Sequence, residues 1–117
     1  MDKLNILDCT IRDGGYINNW NFTQEQVKNL YQSLSNSGVD YMEIGFRREK
    51  IKDELSKFGP WYFCDEELLN NTLNDIKGCK IAVMAQLGTF SINNFIPKKD
   101  SKIDMVRVLM AYHGFNK

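Results

Sequence analysis

The chain has 117 residues, 43% of them hydrophobic and 12% aromatic, and its 15 basic residues balance 15 acidic ones. That length suits one domain with a sizeable buried core. The balanced charge builds no broad positive field for nucleic acid, and no stretch approaches the ~18 consecutive apolar residues of a membrane span.

Leu4, Ile6, Leu7 and Ile11 predict a buried strand over residues 4–11, followed by a loop of Gly, Asn and Trp. A helix starts at Thr23, a natural N-cap with Gln26 three residues later as its capping-box partner and Phe22 and Val27 placed as a hydrophobic staple. Val27, Leu30, Tyr31 and Leu34 repeat at i, i+3, i+4 and i+7 on one face, and Gly38 is placed to end the helix. Val39–Phe46 reads as the second strand. The segment 47–64 is mixed, opening with Arg47, Arg48, Glu49 and Lys50 and closing with Gly59-Pro60-Trp61-Tyr62-Phe63. Asp65 caps a second helix with Leu69, Leu73 and Ile76 on its face and Gly78 at its end. Ile81–Ala85 is the third strand; a loop or short helix containing Asn93, Asn94 and Pro97 leads to the fourth, Met105–Ala111. Strands alternating with helices imply an α/β fold with parallel strands and right-handed crossovers.

The first residues, Met1-Asp2-Lys3-Leu4, lack the apolar run of a secretion signal. Cys9, Cys64 and Cys79 are odd in number, widely spaced and form no CxxC pair, which fits reduced thiols in a cytoplasmic protein.

In parallel α/β folds ligands bind at the carboxyl ends of the strands. Arg12-Asp13-Gly14-Gly15 stands at such an end, and Glu43 lies near the end of the second strand, where Gly45 clears space. If the two strands run the same way, Arg12, Asp13 and Glu43 meet around one pocket. Asp13 offers a hard oxygen ligand for Mg²⁺, Mn²⁺ or Zn²⁺. Arg12 offers a permanent cation for a carboxylate or an enolate oxyanion. Glu43 is suited to orient Arg12 as a bidentate pair, and Gly14 and Gly15 let backbone amides approach a ligand. Successive strand residues face opposite sides, so Arg12 and Asp13 share a pocket only if the strand has already broken into loop. Residue types alone fit a surface turn with an ion pair and a buried, satisfied Glu43 equally well.

The stretch LDCTIRDGGYINNWNF, followed by GVDYMEIGF, resembles the start of the DRE-TIM metallolyase (HMG-CoA lyase-like) superfamily. The superfamily signature corresponds to Asp8-Cys9-Thr10-Ile11-Arg12-Asp13-Gly14 and Glu43-Ile44-Gly45, and GYINNW, EIGFR and GPWYFCDEEL most resemble the 4-hydroxy-2-oxovalerate aldolase-like members. The resemblance extends over all 117 residues. It implies a partial (β/α)8 TIM barrel in which residues 1–117 form the N-terminal half. It further implies that Asp13 ligates a divalent metal, that Arg12 stabilises the enolate of a 2-oxo acid, and that Glu43 supports Arg12. The chemistry implied is reversible carbon–carbon cleavage beside a carbonyl, with a 2-oxo acid and an aldehyde as reactants and the metal as Lewis acid.

The chain departs from that pattern in three ways. A closed barrel takes about 250 residues, ~200 at the least, and four strands make roughly half of one. The family's metal site needs an HxH pair, and the single histidine here is His113. A lone Asp13 carboxylate is too few ligands, so Mn²⁺, Mg²⁺ or Zn²⁺ is expected only if the missing imidazoles are supplied. Tyr16 stands where many aldolases of the family carry a histidine base; with a pKa near 10, it suits an acid or hydrogen-bond donor. Arg12, Glu43 and Tyr16 are therefore the catalytic candidates, and Asp13 the metal candidate.

Other residues keep two readings. His113 either overhangs the mouth or lies exposed near the terminus. Trp20, Trp61, Tyr62 and Phe63 either line a pocket or pack. Arg47, Arg48 and Lys50 bind an anion or sit on a solvated loop. Arg107, in a strand interior, needs a partner if buried; the resemblance suggests a second anion contact. The outer strands would expose unpaired backbone, so pairing with another copy or with a separate C-terminal half is expected. The functional expectation is a truncated metal-dependent aldolase or lyase, inactive alone. The alternatives are a non-catalytic remnant or assembly module, or half of a Claisen-type acyltransferase resembling isopropylmalate synthase.

Overall fold

The computed structural model describes residues 3–110. Four strands, β1 (Leu7–Asp8), β2 (Tyr41–Phe46), β3 (Lys80–Gln86) and β4 (Met105–Leu109), form one sheet in chain order. Every neighbouring pair is parallel. With the intervening helices α1 (Thr10–Asn18), α2 (Gln24–Asn36), α3 (Lys52–Leu55) and α4 (Glu66–Leu73), this is the expected α/β architecture of a partial barrel. Among the described residues no helix is long and apolar enough to cross a membrane. His113 and Ala111 lie outside the described residues.

The first strand is shorter than its apolar pattern suggests. Pairing stops at Asp8, and residues 10–18, expected as strand end and loop, are helix. Asp8 starts that helix: its carboxylate accepts from the Thr10 backbone N–H (3.0 Å) and hydroxyl (2.8 Å). Ile11 is therefore a buried helix residue rather than a strand residue. The Gly14-Gly15 pair, weak in helix propensity, masks α1 in the sequence.

The next elements follow their caps. Thr23 Oγ1 accepts from Gln26 N–H (3.0 Å) and Gln26 Oε1 accepts from Thr23 N–H (2.9 Å), closing the capping box. At the other end Gly38 takes φ +84°, and the Val39 N–H reaches back to the Leu34 carbonyl (3.1 Å), a Schellman closure. Asp65 Oδ1 accepts from Leu68 N–H (2.8 Å) at the start of α4. That helix stops at Leu73, short of the expected Gly78, because Asn70, Asn71, Thr72 and Asn74 hold a helix poorly. Gly78 instead lets the chain pass α2: a Cβ there would lie 2.0 Å from Ser35 Oγ, the atom that accepts the Cys79 N–H at 2.9 Å.

The core lies between the sheet and the helices. Met42, Ile44, Ile81 and Val83 pack with Val27, Tyr31, Trp61, Leu69 and Leu73. Trp20, Trp61 and Phe63 are buried, so packing is the reading that holds for them. Trp61 donates its indole N–H to the Phe22 carbonyl (2.9 Å).

The register of β2 slips once. Glu43 pairs with Ala82 and Phe46 with Met84, so three steps on β2 match two on β3. The bulge returns Phe46 to the sheet face that Glu43 occupies. Gly45 sits within it. A Cβ there would stand 2.1 Å from the Trp61 carbonyl oxygen and 2.5 Å from Cys64 Sγ, so this glycine makes room for the 60–64 turn and not for a ligand. Replacing it therefore overpacks the core against a backbone atom that cannot swing aside. We expect Gly45→Ala to lower stability by about 2 kcal/mol, read as a lower urea midpoint at unchanged m-value.

Candidate functional site

Arg12, Glu43 and Arg107 come together on one face of the sheet. The Glu43 side chain is 0% exposed. Arg107 holds it in a bidentate grip, Nε donating to Oε2 (2.6 Å) and Nη2 to Oε1 (2.8 Å). Arg12 donates Nε to Oε1 (2.7 Å). The expected Arg12–Glu43 bidentate pair is thus corrected: the fork belongs to Arg107, and Arg12 is held by one nitrogen. Its Nη1 lies 3.5 Å from Asp13, and its Nη2 makes no hydrogen bond within the described residues.

Arg107 reaches Glu43 across β3. Ala82 lies between Glu43 and Met105 in register, and its small side chain leaves the guanidinium a path over the sheet. Burial by itself raises the Glu43 pKa. The hydrogen bonds and charges of Arg107 and Arg12 outweigh it, leaving the carboxyl below its usual value. Arg107 is raised in turn, chiefly by its hydrogen bond to Glu43. With the exposed Asp13 beside Arg12, the two guanidinium groups face two carboxylates at this end of the sheet, one of them buried.

The helical conformation of residues 10–18 places the other candidates. Asp13, in the first turn of α1, has its side chain 69% exposed beside Arg12. Tyr16 follows Arg12 by one helical turn and is 62% exposed. Its ring packs edge-on against Trp20 (4.7 Å between centroids) and Phe46 (6.3 Å).

A tight turn fixes this helix from behind. Asn19 and Trp20 both take left-handed backbone, at φ 57° and 60°, a conformation a bulky residue adopts only under constraint. The constraint is visible: the Trp20 indole N–H donates to the Arg12 carbonyl (2.9 Å), and its ring covers Gly15, where a Cβ would lie 2.0 Å from Cδ1. Gly15 is therefore required by Trp20, not by approach of a ligand to the amides. A Cβ at Gly14 would meet only Phe22, at 3.6 Å, an ordinary contact.

Arg47, Arg48 and Lys50 line one cleft together with Asp65 and Glu66, and each is already paired with a carboxylate. Arg47 is buried and donates to the carbonyls of Cys64 (2.8 Å) and Asn94 (2.7 Å) and to Glu66 (3.2 Å). Arg48 pairs with Glu54 (2.9 Å) over the Tyr62 ring, and Lys50 pairs with Asp65. Cys9, Cys64 and Cys79 are free thiols. Burial pushes the Cys64 thiol strongly up against the offsetting charge of Arg47.

Asp13 has the hard oxygen chemistry of a divalent-cation ligand. Yet no group of three His, Cys, Asp or Glu side chains that could hold a metal occurs among the described residues. By themselves they do not fit a metal centre.

The one functional residue that sequence reasoning underused is Arg107. An arginine inside MVRVLM and a glutamate inside YMEIGF each demand a buried partner, and on a parallel sheet the two satisfy each other.

No protein-family profile matches the chain. The 4-hydroxy-2-oxovalerate aldolase of Geobacillus genomosp. 3 is 27% identical over 105 residues, covering 90% of this chain and 31% of the relative. That of Moorella thermoacetica is 28% identical over 106 residues, covering 91% and 31%. An oxaloacetate decarboxylase of Mycobacterium tuberculosis is 40% identical over 40 residues, covering 34% and 12%. Among solved structures, one described as the N-terminal domain of a Bacteroides vulgatus protein designated an aldolase superposes with a TM-score of 0.76 at 30% identity, covering 90% of this chain and 35% of that one. The chain spans about three-tenths of the length of the curated aldolases it matches.

The cluster ties stability to pH. Because the native Glu43 carboxyl titrates below its unfolded value of about 4.3, its contribution is complete above that value and drains away as pH falls through the native one. Glu43→Gln leaves both guanidinium groups short of a counter-charge. Breaking a fully buried pair costs about 3–5 kcal/mol. The Arg107 side chain, 42% exposed, can turn to water, so we expect about 2 kcal/mol at pH 7. The difference between variant and wild type should shrink below pH 4 in urea titrations run across the acid range.

Proposed function

With 4-hydroxy-2-oxovalerate aldolases of the DRE-TIM family as its homologues, we propose that this chain carries the anion-binding part of a carbon–carbon lyase site. Its substrate is a 2-oxo acid, and the reaction runs through an enolate. The observation that carries the reading is the Arg12 guanidinium, fixed through Nε by the buried Glu43 at the carboxyl end of the sheet, its Nη2 making no hydrogen bond among the described residues. A rigid cation with unspent donors stabilises charge that develops on an oxygen in the transition state. The names of the relatives support the substrate class, since 4-hydroxy-2-oxovalerate and oxaloacetate are both 2-oxo acids.

The chemistry assigned to the chain's own residues is limited. When the bond between C3 and C4 of a 4-hydroxy-2-oxo acid breaks, the 4-hydroxyl gives its proton to water and the aldehyde forms, and a proton delivered to C3 of the enolate completes the second product. The bonding electrons pass through C3 to the C2 carbonyl oxygen, whose negative charge faces Arg12. Glu43 and Arg107 hold that guanidinium still. Tyr16 is the proposed hydrogen-bond or proton donor, one helical turn away.

Asp13 is the residue through which Mn²⁺, Mg²⁺ or Zn²⁺ would attach, with its other ligands supplied from beyond the described residues. On this reading the described residues form an incomplete site that is inactive alone. A second copy, or a chain bearing the remaining strands, would complete it along the β4 edge. The proposed setting is the cytoplasm, where three free thiols stay reduced.

A second reading, a non-catalytic assembly module, is favoured by the outer face of β4. Val106 and Val108 are 38% and 60% exposed there, with two 3-10 turns and no α-helix between β3 and β4.

Pyruvate separates the two. The lyase reading expects it to bind the full chain, measured by calorimetry or saturation-transfer NMR. Arg12→Ala should then weaken binding about tenfold to hundredfold, the worth of charge-assisted hydrogen bonds at about 1.5–3 kcal/mol. Pyruvate binding that ignores Arg12 would sink this assignment. No binding, with concentration-dependent self-association in light scattering, would favour the assembly module.

A further inference from the structure

We infer that the Tyr16 ring is a specificity surface that selects 2-oxo acids carrying an aromatic group at C3. The inference rests on the 2-oxo acid reading and adds the substituent to it.

The ring is the exposed member of an otherwise buried aromatic cluster. Trp20 and Phe46 are nearly inaccessible, whereas Tyr16 is 62% exposed. Its centroid lies 4.7 Å from Trp20 and 6.3 Å from Phe46, both edge-on. Those separations and angles are the favoured ones for aromatic pairs, so two buried rings support Tyr16 while most of its own surface stays exposed. Phe46 also occupies the sheet face of Glu43 and Arg107, since Phe46 pairs with Met84 and Met84 with Arg107. The aromatic wall and the guanidinium cluster thus border the same space.

Arg12 and Tyr16 are i and i+4 on α1, with Cβ atoms about 5–6 Å apart on one helical face. A 3-aryl-2-oxo acid offers a group to each, its C2 oxygen and adjoining carboxylate to Arg12 and its ring to Tyr16. An exposed aromatic already ordered by its neighbours loses little conformational freedom when a ligand ring meets it. An aromatic contact adds about 0.5–1.5 kcal/mol beyond the area it buries. Pyruvate, with a methyl in place of the benzyl group, cannot reach it.

The test compares phenylpyruvate and pyruvate binding to the full chain by calorimetry. We expect phenylpyruvate to bind at least tenfold more tightly. Tyr16→Phe, which keeps the ring, should preserve the ratio, and Tyr16→Ala should bring it to about one. Circular dichroism would establish that each variant is folded. Arg12→Ala should weaken both ligands by the same factor. If pyruvate binds in an Arg12-dependent manner but the ratio is near one, or survives Tyr16→Ala, the specificity surface is refuted and the 2-oxo acid site stands. If phenylpyruvate binding ignores Arg12, the ring is bound elsewhere and the inference fails. If neither ligand binds, both readings fall together.

Discussion

A carboxylate that no water reaches must be answered by cations, and here two arginines from distant parts of the chain answer one glutamate. Everything else at this end of the molecule follows from that requirement. Glu43 lies in the middle of β2. Arg12 comes from the helix after β1, and Arg107 from the far edge of the sheet. The cluster therefore ties three elements that are remote in sequence, and it does so over the small side chain of Ala82. A buried pair of equal charges would be electrically silent. Here Glu43 and its two arginines keep one positive charge in excess, and the exposed Asp13 beside Arg12 balances it from the solvent side.

The second constraint is mechanical. Trp20 closes over Gly15 and bonds the Arg12 carbonyl, and to do so its backbone enters a region that costs a non-glycine residue free energy. That cost is offset by burying the indole among Phe46, Phe58 and Tyr62. The signature stretch thus divides by role. Asp8, Thr10 and Gly15 shape the strand-to-helix junction, Arg12 turns in to the buried Glu43, and Asp13 and Tyr16 face outward.

That division explains what could be read in the sequence. Thr23 with Gln26, Gly38, and Asp65 announce their helix ends because capping chemistry is local, and those ends lie where expected. Glu43, inside the expected second strand, was also legible as a buried partner of Arg12. Residues 10–18 were not legible as a helix, because Gly14-Gly15 is a poor helix former and only the distant Trp20 stabilises it. The helix also removes the geometric difficulty posed by neighbouring Arg12 and Asp13. On a strand they would face opposite ways, but in a first helical turn they stand about 100° apart and share one rim. The shortening of α4 reflects the opposite balance, where tertiary contacts do not rescue an asparagine-rich end.

The partnership of Arg107 with Glu43 shows why the site and the edge of the fold are not separable. Among the described residues no α-helix lies between β3 and β4, and Val106 and Val108 on the outer face of β4 are partly bare. On its inner face the same strand sends Arg107 to a carboxylate that lies two strands away. The hydrogen bonds that complete the charge cluster are thus also long-range bonds fastening the edge strand to the centre of the sheet. Whatever redistributes charge at Glu43 must act on the seating of β4, and whatever covers β4 must steady the position of Arg107. A strand with little apolar support on one side is held to the centre of the sheet by electrostatics on the other, so the geometry of the Arg12–Glu43–Arg107 cluster is set partly at the sheet edge.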